Sequence, residues 1–187
     1  LKTILGIDPG VTGGFAIMRD GKMLKMWPMP MLVLKQKKTR KIRKNEDNPN
    51  GKKTKTYIAN VRQLDFVQLG NIFDKIKKIG VNKAYLETVH ARPDDGVSSS
   101  FKFGIAFGAL LALLAYKNVP YALVSPVTWT KKVCSGAPAS MDTKDRSRLV
   151  ATRLFPSVEF ILPGCKKAHM GLVDSALIAY YGYIEEK

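Results

Sequence analysis

The chain has 187 residues, 45% of them hydrophobic, which is enough to bury one sizeable core and too few for two full domains. Lys and Arg number 31 against 15 acidic residues, a formal net charge of +16 that points to a polyanionic partner, nucleic acid first, with a merely basic soluble protein or one that docks on an anionic membrane as the plainer alternative. The two cysteines, Cys134 and Cys165, lack CxxC spacing, which suggests neither a disulfide framework nor a zinc site and fits a reducing compartment best.

In chain order, Leu1–Ile7 reads as a first strand rather than a signal peptide, and it ends in Asp8-Pro9-Gly10. Further apolar runs at Gly14–Met18 and Met23–Trp27, separated by Gly13-Gly14 and Asp20-Gly21, predict a three-stranded antiparallel start. Lys35–Lys55 then breaks the pattern with ten basic and two acidic residues around Asn48-Pro49-Asn50-Gly51. Such a stretch cannot bury a core, so it reads as a mobile basic loop that contacts DNA, with a solvated charge run and a nuclear-localisation patch as the plainer readings. Val61, Leu64, Val67, Ile72, Ile76 and Ile79 recur at helical spacing and Gly80 supplies a stop, predicting a helix over Val61–Ile79.

Ala84–Leu86 is a strand that delivers Glu87. Phe101–Tyr116 is an apolar helix with small residues, capped by Ser98–Ser100 and destined for burial or an interface. Its longest apolar run, near Ala106–Ala115, is too short to cross a bilayer, so no membrane is expected. Tyr121–Val124 is another strand, Asp142 or Thr143 caps a helix over Lys144–Phe155, and Leu172–Glu186 is the last helix. Strands first and then alternating helices and strands imply an α/β fold with a mixed sheet flanked by helices.

Three acidic residues stand at element ends with apolar flanks: Asp8, Glu87 and Asp174. Carboxylates beside a core are costly unless paired or metal-bound, so together they suggest a shared cation site. Alone, Asp8 is a turn residue and Asp174 a helix N-terminal charge. The two histidines, His90 and His169, lie near Glu87 and Asp174 in sequence, with surface or supporting roles as the simpler alternative.

The segments GIDPGVTGGFAI at Gly6–Ile17, YLETVHARPDDGVSSSFKFG at Tyr85–Gly104 and HMGLVDSALIAYYG at His169–Gly182 resemble, in order and spacing, the signature blocks of the RuvC-type Holliday junction resolvases. Ser125–Trp129 followed by Lys131 and Lys132, and Thr143–Ser147 leading into Leu154-Phe155-Pro156, are similar to the chloroplast and phage-like members. The resemblance covers nearly the whole chain except Lys35–Lys55. It implies one RNase H-like α/β domain over residues 1–187, a five-stranded mixed sheet flanked by helices with a basic insertion loop at about 35–55, and the activity of a structure-selective endonuclease of DNA recombination and repair.

By the same resemblance Asp8, Glu87 and Asp174 are metal ligands for Mg²⁺, with Mn²⁺ as a substitute and two ions per site. The family's fourth acidic position is missing, since the matching stretch reads Lys167-Ala168-His169-Met170-Gly171, and His169 takes its place as ligand or water activator. Lys131, Lys132, Lys144 and Arg146 are expected on the carboxylate face to meet phosphates. Arg92, Ser99 and Phe101 match the region that enters the junction centre, with Phe101 equally readable as core, and Lys38, Arg40 and Lys41 are contacts from the insertion. The near two-fold symmetry of a four-way junction implies a homodimer, for which Phe101–Tyr116 offers the surface. An organellar location follows from the resemblance, with a viral or phage protein in its host as the alternative.

Three rivals remain. The string IDPGVTGG also resembles the phosphate-binding hairpin of actin-like ATPases and sugar kinases, which the length disfavours. A nuclease-dead binding module and a nuclease for RNA–DNA hybrids or other branched DNA are the others.

Overall fold

The protein was analysed as a computed structural model, which describes residues 1–42, 49–88, 96–138 and 140–187. Strands β1 (Thr3–Asp8), β2 (Gly14–Arg19) and β3 (Lys22–Pro28) form a consecutive antiparallel meander, as the turn residues between them require. Strands β6 (Lys83–Glu87) and β7 (Tyr121–Val124) add in parallel on the other side of β1, giving the order β3-β2-β1-β6-β7.

Helices cover both faces, so the central strands are apolar on both sides rather than alternating with polar residues. Leu5, Ile7, Phe15, Ile17, Ala84 and Leu86 meet α1 (Phe66–Ile79) and α2 (Val97–Tyr116). On the opposite face Ile4, Ala16, Met18, Tyr85 and Val124 meet α3 (Pro126–Val133), α4 (Thr143–Leu154) and α5 (Met170–Glu185). This is the mixed five-stranded α/β sheet that the sequence implies.

Helix α5 lies across β1 and β2 closer than side chains normally permit. A Cβ on Gly6 of β1 would stand 2.2 Å from the Ser175 carbonyl oxygen and 2.3 Å from the Ala179 nitrogen, while one on Gly171 would stand 2.0 Å from the Thr12 carbonyl. Backbone therefore packs on backbone at two points, one on the strand and one on the β1–β2 turn.

Four expectations need correction. The basic insertion is no loop in its described part: β4 (Met31–Lys41) and β5 (Thr54–Leu64) pair antiparallel from Met31↔Leu64 to Lys41↔Thr54 as a separate two-stranded ribbon, and residues 43–48 lie outside the described residues. Ladder hydrogen bonds and β-favouring Thr, Tyr, Ile and Val make the ribbon without a core of its own. Val61 and Leu64 belong to β5, and α1 starts at Phe66 because Asp65 caps it, accepting from the Gln68 N–H at 2.9 Å. Ser98–Ser100 lie inside α2, whose N-cap is Gly96 with no side-chain cap bond.

The fourth correction concerns α2 itself. Its apolar run is extended by Val97–Ile105 with a lone Lys102, so the whole helix has 20 residues and is long and apolar enough to cross a membrane by length and composition. Only Leu110 and Leu114 of it are fully buried, whereas Val97 is 87% and Tyr116 76% exposed.

The glycine contacts give the first prediction. Gly6→Ala forces a methyl into backbone, and it is expected to cost about 3 kcal/mol, the upper end for overpacking, or to prevent folding. Gly70→Ala, in the middle of α1 with nothing within 4 Å of the added carbon, is expected to gain about 1 kcal/mol from helix propensity. Urea melts check both, and equal losses at the two positions would refute the close packing of α5.

Candidate active site

Strand register brings the first two carboxylates together. Neighbouring parallel strands β1 and β6 pair through Ile7↔Leu86, so Asp8 and Glu87 end them side by side. Ile7 and Leu86 point to the α1–α2 face, so by strand alternation Asp8 and Glu87 point to the other face, the one α5 covers. Asp174 is the fifth residue of α5, close to the end that Gly171 presses against the β1–β2 turn. Three distant segments thus deliver one acidic cluster.

Each carboxylate is anchored. The Gly10 N–H donates to Asp8 Oδ1 at 2.9 Å across the β1–β2 turn. The indole N–H of buried Trp129 on α3 donates to Glu87 Oε1 at 2.8 Å. Buried Ser147 of α4 hydrogen-bonds Asp174, and the Lys144 charge lies within reach of it.

Burial nevertheless dominates their titration. It pushes Asp8 above its ordinary range, against the opposing Gly10 bond. Burial raises Glu87 to about 7, with the Trp129 bond opposing and the charges of Asp8 and Asp174 adding to the rise. Asp174 also reaches about 7, through burial first and the charge of Asp8 second, although Ser147 and Lys144 pull the other way. These groups repel one another in a poorly solvated place, the condition that a cation relieves. Among the described residues no group of three His, Cys, Asp or Glu side chains forms a ready cage for one ion. Mg²⁺ does not need one, since it is commonly held by one or two carboxylates plus substrate phosphate oxygens and water.

His169 sits differently. It is the N-cap of α5, its Nδ1 accepting from the Leu172 N–H at 3.3 Å, and burial holds its pKa below the usual value. A neutral ring that accepts at Nδ1 carries its proton on Nε2, so in this pose it offers a donor outward rather than a lone pair. Acting as ligand or base through Nε2 requires giving up the cap.

The expected DNA contacts divide as well. Lys144 lies beside Asp174, and Arg146 beside Cys134, which also feels the Asp174 charge. Lys131 is exposed in the last turn of α3. Lys132 turns away from the cluster: it pairs with Glu185 and lies over the Tyr181 ring, roughly 16 Å further along α5 than Asp174 at about 1.5 Å per residue. Ser99 and Phe101 are exposed at the start of α2, Phe101 at 70%, so it is not core. Lys38, Arg40 and Lys41 lie on β4, with Lys41 on the opposite side of the ribbon from the other two. Arg92 and His90 lie outside the described residues.

Trp129 and Ser147 have roles that the sequence reading did not assign. Both stand inside the quoted segments Ser125–Trp129 and Thr143–Ser147, and an indole or a hydroxyl amid basic residues was the available signal.

No protein-family model matches the chain, and no curated protein matches it. Solved structures do. Thermus thermophilus RuvC in complex with a Holliday junction substrate superposes with a TM-score of 0.58 at 16% identity, over 100% of this chain and 95% of that one. A second Thermus thermophilus RuvC structure gives 0.53 at 14% identity, over 98% and 96%. The chain thus has the RuvC-type, RNase H-like fold.

The raised carboxylates fix a pH dependence. Between their unfolded and folded pKa values the native state holds more protons than the unfolded chain, so stability is fullest below about 4 and is lost as pH rises through about 7. In cation-free buffer the melting temperature of the wild-type chain relative to Asp174→Asn or Glu87→Gln is therefore expected to fall across that window and level off above it. A relative melting temperature that rises with pH contradicts the placement of the carboxylates.

Proposed function

We propose that the chain is a metal-dependent endodeoxyribonuclease that resolves four-way DNA junctions. The observation that carries this reading is the convergence of Asp8, Glu87 and Asp174 at the ends of β1 and β6 and the start of α5, within a RuvC-type fold on a strongly basic chain. Asp8, Glu87 and Asp174 would hold Mg²⁺ or Mn²⁺, and two such ions supply an activated water and neutralise the leaving oxygen. The chain's own groups prepare the site. Trp129 fixes the direction of Glu87, Gly10 fixes Asp8, and Lys144 and Ser147 favour the ionised form of Asp174. Lys144 also balances phosphate charge as the strand approaches. Kinship with the chloroplast and phage-like branch, and the organellar or viral setting that goes with it, rests on the Ser125–Trp129 and Thr143–Ser147 segments.

Asp8→Asn, Glu87→Gln or Asp174→Asn keeps shape and removes charge. Cleavage of a four-way junction in Mg²⁺ is expected to fall by at least about 10³-fold, of the order of losing several kcal/mol of charge stabilisation, while binding holds or tightens. Equal loss of binding makes these residues structural. Faster cleavage of a flap, a linear duplex or an RNA–DNA hybrid than of the junction replaces the substrate but not the chemistry. His169→Asn keeps a capping side chain and removes the imidazole: unchanged rates assign His169 to the cap, and a large loss assigns it to the reaction.

The same reading includes a C2 homodimer, one site per subunit. Its support is apolar surface outside the ribbon cleft: Val97, Ala112 and Tyr116 of α2 are exposed, and so are Tyr121 and Leu123, which leave the edge strand β7 on the α2 face of the sheet. Sedimentation at micromolar concentration is expected to show a dimer that Leu123→Glu weakens. A monomer both free and on a junction ends the proposal, and a chain that floats with lipid vesicles means that α2 meets a membrane instead.

A further inference from the structure

The β4–β5 ribbon leaves the domain: Leu32–Lys41 and Lys52–Ile58 are all exposed. Its strands carry seven basic residues and no acidic one. A two-stranded ribbon is marginal in water without something to pack against, and this charge forbids a second copy of itself. A polyanion is the complementary occupant.

The two sides of the ribbon differ. Because directly opposed residues share a side, Gln36, Lys38 and Arg40 stand with Ala59, Tyr57 and Lys55. Lys35, Lys37 and Lys41 stand with Asn60, Ile58 and Thr54. On the first side the Arg40 guanidinium lies over the Tyr57 ring at 5.9 Å, which holds its planar fork outward for phosphate. On the second, the Thr39 and Thr56 hydroxyls bond each other at 3.3 Å.

The first side also fronts a cleft of about 450 Å³. Gly10 and Val11 of the β1–β2 turn, Phe101 and Lys102 of α2, and Gln36 and Lys38 of the ribbon form its walls; Arg62, at the base of the ribbon's second side, also reaches it, whereas Lys35, Lys37 and Lys41 further out on that side do not line it. Its size suits a nucleotide and not a duplex. Apolar walls with cations at the rim suit bases and sugars inside and phosphates outside. One end of it is Gly10, whose N–H holds Asp8.

We propose that the side of the ribbon bearing Gln36, Lys38, Arg40, Tyr57 and Lys55 is a DNA-binding surface, that the cleft it forms with α2 guides one DNA strand toward Asp8, and that the opposite side beyond its base at Arg62 makes no DNA contact. This rests on the endonuclease reading and assigns the ribbon a directional role in it. A basic arm acting by charge alone makes no distinction between its sides.

Two triple variants with equal charge loss separate these cases. Lys38→Ala/Arg40→Ala/Lys55→Ala clears the first side, and Lys35→Ala/Lys37→Ala/Lys41→Ala clears the second except for Arg62 at the base of the ribbon; all six side chains are exposed, so melting temperatures should match the wild type. Junction affinity is measured across a salt series. The first triple is expected to reduce the log–log salt slope by about three, one phosphate per cation, and the second to leave it unchanged. Lys102→Ala, across the cleft on a different element, is expected to reduce it by about one. Equal effects of the two triples, or no effect of the first, overturn the proposal. A wild-type chain that binds no DNA overturns the endonuclease reading itself, an outcome told apart from the other two before any variant is made.

Discussion

The site depends on how closely α5 lies on β1. Gly6 removes the side chain from the strand where Ser175 and Ala179 pass, and Gly171 does the same where the helix starts against Thr12 and Gly13. With any larger residue the helix must lift by the width of a methyl or more, and Asp174, at the same end of the helix, lifts with it. Helix position is thus set by backbone contact, which tolerates less adjustment than interdigitated side chains. Gly182 continues the contact toward the other end, where an added Cβ would stand 2.3 Å from the Tyr85 ring.

From this contact follows the electrostatic state of the cluster. A helix held so close excludes water from Asp8, Glu87 and Asp174, and desolvation is the largest cause of the rise at all three. The anchoring bonds oppose that rise without overcoming it. Trp129 is suited to the task because its N–H donates and cannot accept, so it rewards the ionised form of Glu87 while its ring fills the core. Lys144 supplies charge rather than packing. Removing Trp129 would therefore disturb both the position of Glu87 and the core beneath α3, whereas Lys144 can vary without a cavity.

Much of this was legible in the sequence wherever local signals agreed with the tertiary result. The β1–β3 meander is bounded by Pro, Gly and Asp, Asp142 caps α4, and the apolar runs that end in Asp8 and Glu87 are strands on both readings. Periodicity failed at Val61–Leu64, where the spacing of three suits a helix, yet the two residues lie on opposite sides of β5 and are both buried at the base of the ribbon, and the decisive residue was Asp65. The ribbon itself was hidden by its charge, because composition says that a stretch cannot bury a core and is silent about ladder hydrogen bonds. The partner of Lys132 was hidden for another reason: nothing local separates a lysine aimed at a phosphate from one aimed at Glu185.

His169 shows the limit of spacing arguments most clearly. Its position before Gly171 and Asp174 placed it near a carboxylate site, and it is indeed at the start of α5, yet the same position is the N-cap, whose requirement for an acceptor competes for Nδ1. The two duties ask for opposite tautomers, the cap a proton on Nε2 and an outward-facing ligand or base a proton on Nδ1. At 3.3 Å the cap bond is long and holds the ring weakly, but moving the proton to Nδ1 sets a donor against the Leu172 N–H and gives up the cap. A carboxylate there faces no such choice, since it can cap and ligate with its two oxygens in one protonation state. Histidine at the head of α5 therefore couples helix capping to proton position, and that coupling is absent from a site built of carboxylates alone.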